Sequence, residues 1–209
     1  GKVLARLMEQ WLAADMPDMV EWFRRGCRVP SAMVDRIVPR TAPQALTALE
    51  RHLGMRDAGA VFTEGFSQWV IEDDFAGPRP QWERPGVQLV NDVAPFETAK
   101  LRMLNGAHSL LAYCGLEAGY TYVHQAVADP RLAALAERLM RNEALPTIPA
   151  APGQDLAAYA GQLMQRFGDP ALMHRLDQIA MDGSQKIPQR WLDTAAVLTR
   201  RSLPCDAIA

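Results

Sequence analysis

Apolar residues recur at helical spacing at the start of the chain. The stretch from Val3 to Leu12 has an apolar residue every three or four positions, and a second short helix is expected from Pro17 to Gly26. Three later segments are rich in β-branched and aromatic residues and bounded by Pro, Gly or Asp, as strands are: residues 31–39, 65–74 and 86–92. A helical segment, residues 43–54, separates the first two. This pattern predicts a small α/β portion over residues 1–92.

From residue 95 onward the apolar pattern predicts helices and no strand. Asp129 and Asp169 each precede a proline, and Asp155 precedes an apolar run; aspartate is a favoured N-cap, and proline fits the first turn of a helix. Helices are therefore expected at roughly 95–115, 119–128, 130–144, 155–167, 170–182 and 188–201. The chain is predicted to be mainly α, with a helical domain over residues 93–209.

Charge and composition narrow the classes of partner. The formal net charge is −2 and the isoelectric point is near 6.1, and the sequence contains no basic stripe or run of Lys and Arg. Neither a nucleic acid nor an acidic membrane surface is therefore an expected partner. The apolar runs are far shorter than the roughly 18 to 20 residues that span a membrane, and no signal peptide is recognisable.

The cysteines and most histidines suggest no further site. The three cysteines are too far apart, and odd in number, for a disulfide framework or a CxxC metal site; they are Cys27, Cys114 and Cys205. No metal site is expected, and a reducing, cytoplasmic setting fits this usage. Three histidines are interpreted as ordinary surface or core residues: His52, His124 and His174.

The first helix of the helical domain carries three polar residues beside its apolar stripe. At about 100° per residue, Lys100, Asn105 and His108 fall within an arc of roughly 140°. A lysine whose charge is disfavoured by burial can transfer protons, an amide can donate to an oxyanion, and an imidazole can hold a hydroxyl. The structural alternatives are a lysine that reaches solvent or pairs with Glu97, an amide bonded to backbone, and a satisfied core imidazole. Spacing alone leaves both interpretations open.

Four segments of the chain resemble, in order, the motifs of one known family. They are "MVDRI" at 33–37, "QWVIEDDF" at 68–75, "KLRMLNGAHS" at 100–109 and "MDGSQKIPQR" at 181–190. Together they resemble the polyol-specific long-chain dehydrogenases, the family of mannitol dehydrogenase and fructuronate (D-mannonate) reductase. The Lys-x4-Asn-x2-His pattern is weak alone, but four ordered motifs at family-like separations are not expected by chance.

The resemblance implies a fold and a cofactor. The fold is a helical C-terminal domain, similar to that of 6-phosphogluconate dehydrogenase, with a short α/β portion on its N-terminal side. The cofactor is NAD, bound mainly by a Rossmann-type domain, and no metal takes part. The sequence has no GxGxxG loop, so residues 1–92 are expected to link to a Rossmann domain that precedes them. We therefore expect this chain to be a fragment of a longer protein. The fragment is expected to be truncated at its C-terminus and to be inactive alone.

The same resemblance implies a role for each polar residue. Lys100 corresponds to the family's catalytic acid and base, Asn105 to an oxyanion donor, and His108 to a partner of substrate hydroxyls. Glu97 resembles the acid that relays the proton towards solvent. Asp35, in "MVDRI", resembles a polar residue on the substrate side; the alternative is an ion pair with Arg36 or with another cation at the end of the strand. A second oxyanion asparagine of the family lies before this chain begins.

Two cations in the last motif bear on the choice of substrate. Lys186 and Arg190 stand four residues apart with no adjacent acid, and such cations suit a substrate carboxylate. The residue pattern "SQKxPQR" resembles that of the sugar-acid branch of the family, which implies a fructuronate reductase. The alternatives are a mannitol 2-dehydrogenase or another polyol dehydrogenase and, from a different class, a non-catalytic helical binding module.

Overall fold

The computed structural model describes residues 1–149 and 151–209 and divides them into two compact units. The first unit comprises residues 1–35 and 66–97, and the second comprises residues 36–65 and 98–209. The predicted fold class is confirmed, because helices dominate and the described strands form one small sheet. The boundary between residues 92 and 93 stays a prediction.

Among the residues that the structure describes, the first unit contains two complete helices, the first turn of a third that begins at Ala94, and a three-stranded sheet. Its elements are α1 (Lys2–Asp15), α2 (Val20–Gly26), β1 (Ala32–Asp35), β2 (Gln68–Glu72) and β3 (Gln88–Val90). The strand order is β1-β2-β3: β1 is antiparallel to β2, with Met33 opposite Val70, and β2 is parallel to β3. Each strand lies inside a segment where β-branched and aromatic residues predicted one, and Met33 and Val70 are both buried.

One helical run carries the predicted polar residues. It consists of α4 (Ala94–Ala99), a first π segment (Lys100–Asn105) and α5 (Gly106–Glu117). The other helical elements of the second unit are α3 (Pro43–Leu53), α6 (Val123–Ala128), α7 (Pro130–Arg138), a second π segment (Leu139–Ala144), α8 (Leu156–Phe167), α9 (Leu176–Ala180), α10 (Gly183–Ile187), a third π segment (Pro188–Leu192) and α11 (Asp193–Arg200). Short 3-10 turns occur at Pro17–Met19, Leu145–Thr147 and Pro170–Leu172.

The predicted N-caps are confirmed. The carboxylate of Asp129 accepts a hydrogen bond from the Arg131 N–H, and those of Asp155 and Asp169 act in the same way on the first turns that follow them. Two predicted helices are shorter than expected. The turn at Gly119, with φ of 85°, delays the start of α6, and Met173, with φ of 46°, interrupts the segment predicted as 170–182.

Helix α5 lies in the centre of the second unit. Its side chains of Ala107, Leu110 and Leu111 are buried, and it packs against α6, α7 and α9. A Cβ added at Gly115 would lie 2.8 Å from Leu176 and 2.9 Å from Ala126, so the absence of a side chain allows this close approach. Within the described residues, no helix is both long and apolar enough to cross a membrane.

Candidate functional site

The first π segment changes the geometry expected for the three polar residues. The N–H of Gly106 donates to the carbonyl of Leu101, five residues earlier, as in a π-helix. A π turn holds more residues than an α turn, so side chains five positions apart are closer in angle than the roughly 140° that separates them in an α-helix. The turn therefore brings Asn105 closer to the helix face of Lys100 than an α-helix would, and His108 follows three positions after Asn105. We call these three residues the polar row.

The polar row goes from partly exposed to fully buried along the helix. Lys100 and Asn105 are half-buried, whereas His108 is 5% exposed. The ring of His108 packs against Phe167, with centroids 4.6 Å apart, and meets His174 edge-on at 5.1 Å. Burial holds the pKa of His108 well below its ordinary value of 6.5, with smaller contributions from His174, Arg190 and Arg166. His108 is therefore a neutral imidazole at neutral pH.

This buried neutral histidine makes a testable contribution to stability. The unfolded chain takes up a proton at His108 below about pH 6.5, whereas the folded chain does so only at lower pH. The contribution is therefore complete above pH 6.5 and is lost as the pH falls through the lowered pKa of His108. Between pH 6.5 and the lowered pKa of His108, the unfolding free energy of the wild-type chain falls as the pH falls. We expect His108→Gln to reduce the slope of this dependence by about 1.4 kcal/mol per pH unit.

Urea unfolding of the 209-residue chain between pH 7 and pH 5 measures this difference. His52→Gln is the matched control, because it makes the same replacement at an exposed histidine of α3. Equal slopes for wild type and His108→Gln would show that the imidazole is not held neutral.

The third π segment supports the junction between the first π segment and α5. Nη1 of Arg190 donates to Oγ of Ser109 at 2.8 Å and to the carbonyl of Asn105 at 3.4 Å. Nε1 of Trp191 donates to the carbonyl of Gly106 at 3.0 Å. Two consecutive side chains thus bind two consecutive carbonyls at the point where the helix changes from π to α turns. π-Helical turns are frequent at functional sites, and here one adjoins the predicted catalytic residues.

The two predicted carboxylate binders have different surroundings. Nζ of Lys186 donates to the carbonyl of Met181 at 2.6 Å and lies 4.0 Å from Oδ2 of Asp182, so the expectation of no adjacent acid does not hold for Lys186. Arg190 is half-buried, and its Nε has no hydrogen-bond partner among the described residues. Burial lowers the pKa of Arg190. Arg190 thus lies beside the polar row with an unused donor.

Two predicted site residues belong to the first unit. Asp35 ends β1 and is completely buried, whereas Glu97 is exposed in the first turn of α4. Arg36, considered as an ion-pair partner of Asp35, donates through its guanidinium to the carbonyl of Glu64 at 3.0 and 3.2 Å. The catalytic role of Glu97 and the substrate role of Asp35 stay predictions.

The second unit also contains a cavity that sequence reasoning missed, which we call the histidine cavity. It is lined by Ile37, His108, Val123, His124, Arg166, Phe167, Asp169, Leu172 and His174. The backbone brings His124 and His174 together, because the N–H of Val123 donates to the carbonyl of His174 at 3.0 Å. Tyr122 and Arg175 also form an isolated antiparallel bridge. Across the described residues, no group of three or more His, Cys, Asp or Glu could hold a metal ion.

One lining residue of the cavity, Arg166, belongs to a buried ion pair. Nε and Nη2 of Arg166 donate to the two carboxylate oxygens of Glu64 at 2.9 and 2.8 Å, and Glu64 also accepts the backbone N–H of Ile37. The side chains of Arg166 and Glu64 are 7% and 4% exposed. The pair ties the segment that contains Ile37 to helix α8. No local sequence signal indicates it, since the two residues are 102 positions apart.

Two family models match the chain. The model described as the mannitol dehydrogenase C-terminal domain matches residues 92–209, and the model described as the mannitol dehydrogenase Rossmann domain matches residues 1–84. The first match contains the polar row, the third π segment and most of the histidine cavity.

Relatives and solved structures agree with these matches. The D-mannonate oxidoreductase of Escherichia coli (strain K12) is 49% identical over 177 residues, 85% of this chain and 36% of that protein. A mannitol 2-dehydrogenase of Aspergillus fumigatus is 41% identical over 192 residues, 90% of this chain and 38% of that protein. The ternary complex of Pseudomonas fluorescens mannitol 2-dehydrogenase with NAD and D-mannitol aligns with 100% of this chain and 42% of its own, at a TM-score of 0.88 and 34% identity. The chain thus spans about two fifths of the length of these proteins.

Proposed function

The chain belongs to the mannitol dehydrogenase family, and from this we propose that it is the acid/base and substrate-binding part of an NAD-dependent secondary-alcohol dehydrogenase. The observation that supports the proposal is the polar row, whose amine and carboxamide stand on the first π segment and whose neutral imidazole follows on α5. Family membership supports the reaction class. The sequence contains no GxGxxG loop, so most contacts to the cofactor would come from residues outside this chain.

In this mechanism the row acts on the oxygen of the reacting carbon. NADH, when bound, would supply the hydride to a ketone carbon. Lys100 in its ammonium form gives a proton to the oxygen, and in the reverse direction its neutral amine removes that proton. The amide of Asn105 donates to the same oxygen as negative charge develops, an effect worth roughly 3 to 4 kcal/mol for a well-placed donor. His108 holds a neighbouring hydroxyl, since a neutral imidazole can both donate and accept.

We further propose a sugar acid as the substrate, so that the complete protein is a fructuronate reductase. Arg190 supports this choice, because its Nε has no partner among the described residues and a guanidinium can bind a carboxylate bidentately. The identity of 49% to a D-mannonate oxidoreductase also favours it. A mannitol 2-dehydrogenase is the second candidate, favoured by the structural similarity to a complex that contains D-mannitol.

One assay separates these candidates from a non-catalytic module. The full-length protein that carries this chain is given NADH with fructuronate, tagaturonate or fructose, and NADH oxidation is followed. We expect the highest kcat/KM for fructuronate. A preference for fructose would support the mannitol 2-dehydrogenase alternative, and no turnover with any of the three would support a binding module. The 209-residue chain alone should show no turnover, because the dinucleotide loop is missing.

Replacement of Arg190 tests the sugar-acid proposal directly. In the full-length protein, Arg190→Gln should raise the KM for fructuronate by about 10-fold or more, because a charged hydrogen bond is worth roughly 1.5 to 3 kcal/mol. The KM for fructose, which has no carboxylate, should change much less. Steady-state kinetics with both ketoses measures the difference.

Arg201→Gln is the control for this experiment, because the exposed Arg201 also donates to a backbone carbonyl, that of Pro146. It should leave both KM values unchanged. Equal losses with both substrates in Arg190→Gln would mean that Arg190 only holds the carbonyl of Asn105.

A further inference from the structure

Trp191 lies against the turn where the first π segment gives way to α5. Its indole N–H donates to the carbonyl of Gly106 at 3.0 Å. A Cβ added at Gly106 would lie 3.7 Å from Cδ1 of Trp191 and 3.5 Å from the carbonyl oxygen of Arg190. The third π segment can therefore lie close to the backbone of α5 at this point, because Gly106 has no side chain.

A second contact orients the indole ring. Tyr113 meets the ring of Trp191 edge-on, with centroids 6.1 Å apart. Gly106 and Tyr113 are seven positions apart on α5, which is about two turns along one helix face, so the indole ring lies along that face. The hydroxyl of Tyr113 donates in turn to the carbonyl of Ala180 at 3.2 Å. The indole N–H is thus held in a defined direction by the packing of its own ring.

The backbone around Asn105 depends on these bonds. Nη1 of Arg190 reaches the carbonyl of Asn105 at 3.4 Å, whereas Nε1 of Trp191 reaches that of Gly106 at 3.0 Å, which is the better hydrogen-bond distance. Only two side-chain torsions separate the carboxamide of Asn105 from its backbone, whereas the amine of Lys100 stands on a flexible four-carbon chain. A shift of the backbone therefore displaces the amide directly, whereas the lysine side chain can adapt to it.

We propose that Trp191 is a positioning residue for Asn105, because it holds the carbonyl of Gly106 and so fixes the backbone that carries the carboxamide. The proposal rests on the proposed function, in which Asn105 donates to the developing alkoxide. A donor acts on that oxygen only over a narrow range of distance and angle, so a displacement of about 1 Å weakens its effect strongly. In this assignment Trp191 contacts the backbone and not the substrate.

Two replacements of the indole separate its hydrogen bond from its bulk. In the full-length protein, Trp191→Phe keeps an aromatic ring without a donor, and kcat with fructuronate should fall roughly 10-fold with little change in KM. In Trp191→His, Nε2 stands at the same place in the five-membered ring as Nε1 of the indole, so part of the rate should return. Trp22→Phe, at a tryptophan that is 57% exposed, is the matched control and should leave kcat unchanged. Equal kcat in wild type and Trp191→Phe, or equal losses in both Trp191 variants, would overturn the proposal.

A double variant tests whether Trp191 acts through Asn105. Asn105→Ala alone should lower kcat by roughly 10²- to 10³-fold, because the oxyanion donor is lost. Trp191→Phe added to Asn105→Ala should then have almost no further effect, since no carboxamide remains to be positioned. Losses that multiply would mean that Trp191 influences turnover by another route, and the proposal would fail.

Hydrogen exchange tests the contact without turnover. In the full-length protein, amides of residues 101–109 should exchange about 5-fold faster in Trp191→Phe than in wild type, the factor that corresponds to one lost neutral hydrogen bond. Amides of α8 are the internal control and should exchange at the same rate in both proteins. Unchanged exchange over residues 101–109, or equal acceleration in both segments, would overturn the local role of Trp191. Faster exchange over residues 101–109 alone, in a protein whose wild type shows no NADH turnover, would keep this role and reject the proposed function.

Discussion

A full-length protein with Lys100 replaced by alanine is expected to lose turnover by roughly 10²- to 10⁴-fold with fructuronate, while its fold is kept. The loss follows from the proposed mechanism, since the developing alkoxide then has no adjacent proton donor. Lys100 is half-buried at the start of the first π segment, and alanine is a good helix former, so the substitution should not disturb the helix. The rate of NADH oxidation at a saturating ketose concentration gives kcat, and circular dichroism checks the fold.

The control for this variant is another lysine. Lys2→Ala removes an amine whose side chain is 71% exposed, and turnover should be unchanged. Methylamine added to Lys100→Ala should restore part of the rate, because a small amine can occupy the space of the missing side chain and carry the proton. A near-normal rate in Lys100→Ala would refute the acid/base role.

The sequence predicts the members of the polar row but not the π turn on which Lys100 and Asn105 stand. The family resemblance that pointed to Lys100, Asn105 and His108 is confirmed by the family models, whereas the roles of these residues stay proposals. The spacing of the apolar residues predicts a helix, and this prediction takes every turn to be α-helical. The π turn is stabilised by Arg190 and Trp191, which lie 85 positions away from the carbonyls they bind. Contacts between residues so far apart in sequence cannot be predicted from the local spacing of apolar residues.

Local features were predicted well because their causes are local. An aspartate N-cap needs only the residues of the next turn, and so the caps at Asp129, Asp155 and Asp169 could be predicted from the sequence. The backbone conformation of Met173 could not, because a positive φ is unusual for a residue with a side chain.

The histidine cavity, by contrast, could not be predicted from local sequence. His124 and His174 lie 50 positions apart in segments that the sequence describes only as helical. Each was interpreted as an ordinary core or surface residue, and nothing in its own neighbourhood suggests otherwise. The backbone bond between Val123 and His174 places them together, and Arg166, which pairs with Glu64, also lines the cavity. The cavity thus depends on contacts between distant segments, of which the ion pair is the most buried.

The ion pair should accordingly be one of the strongest determinants of stability in the second unit. Glu64→Leu or Arg166→Met alone breaks a buried ion pair that is joined by two hydrogen bonds, and each is expected to lower the unfolding free energy by about 3 to 5 kcal/mol. The double variant removes both charges and should cost clearly less than the sum of the two, although the N–H of Ile37 still loses its acceptor. Urea unfolding of the 209-residue chain gives the four free energies of this cycle. Asp177→Asn, which breaks the exposed pair with Arg175, is the matched control and should leave stability almost unchanged. Strictly additive losses would mean that the two charges do not stabilise each other, and that the cavity wall is held by its apolar residues.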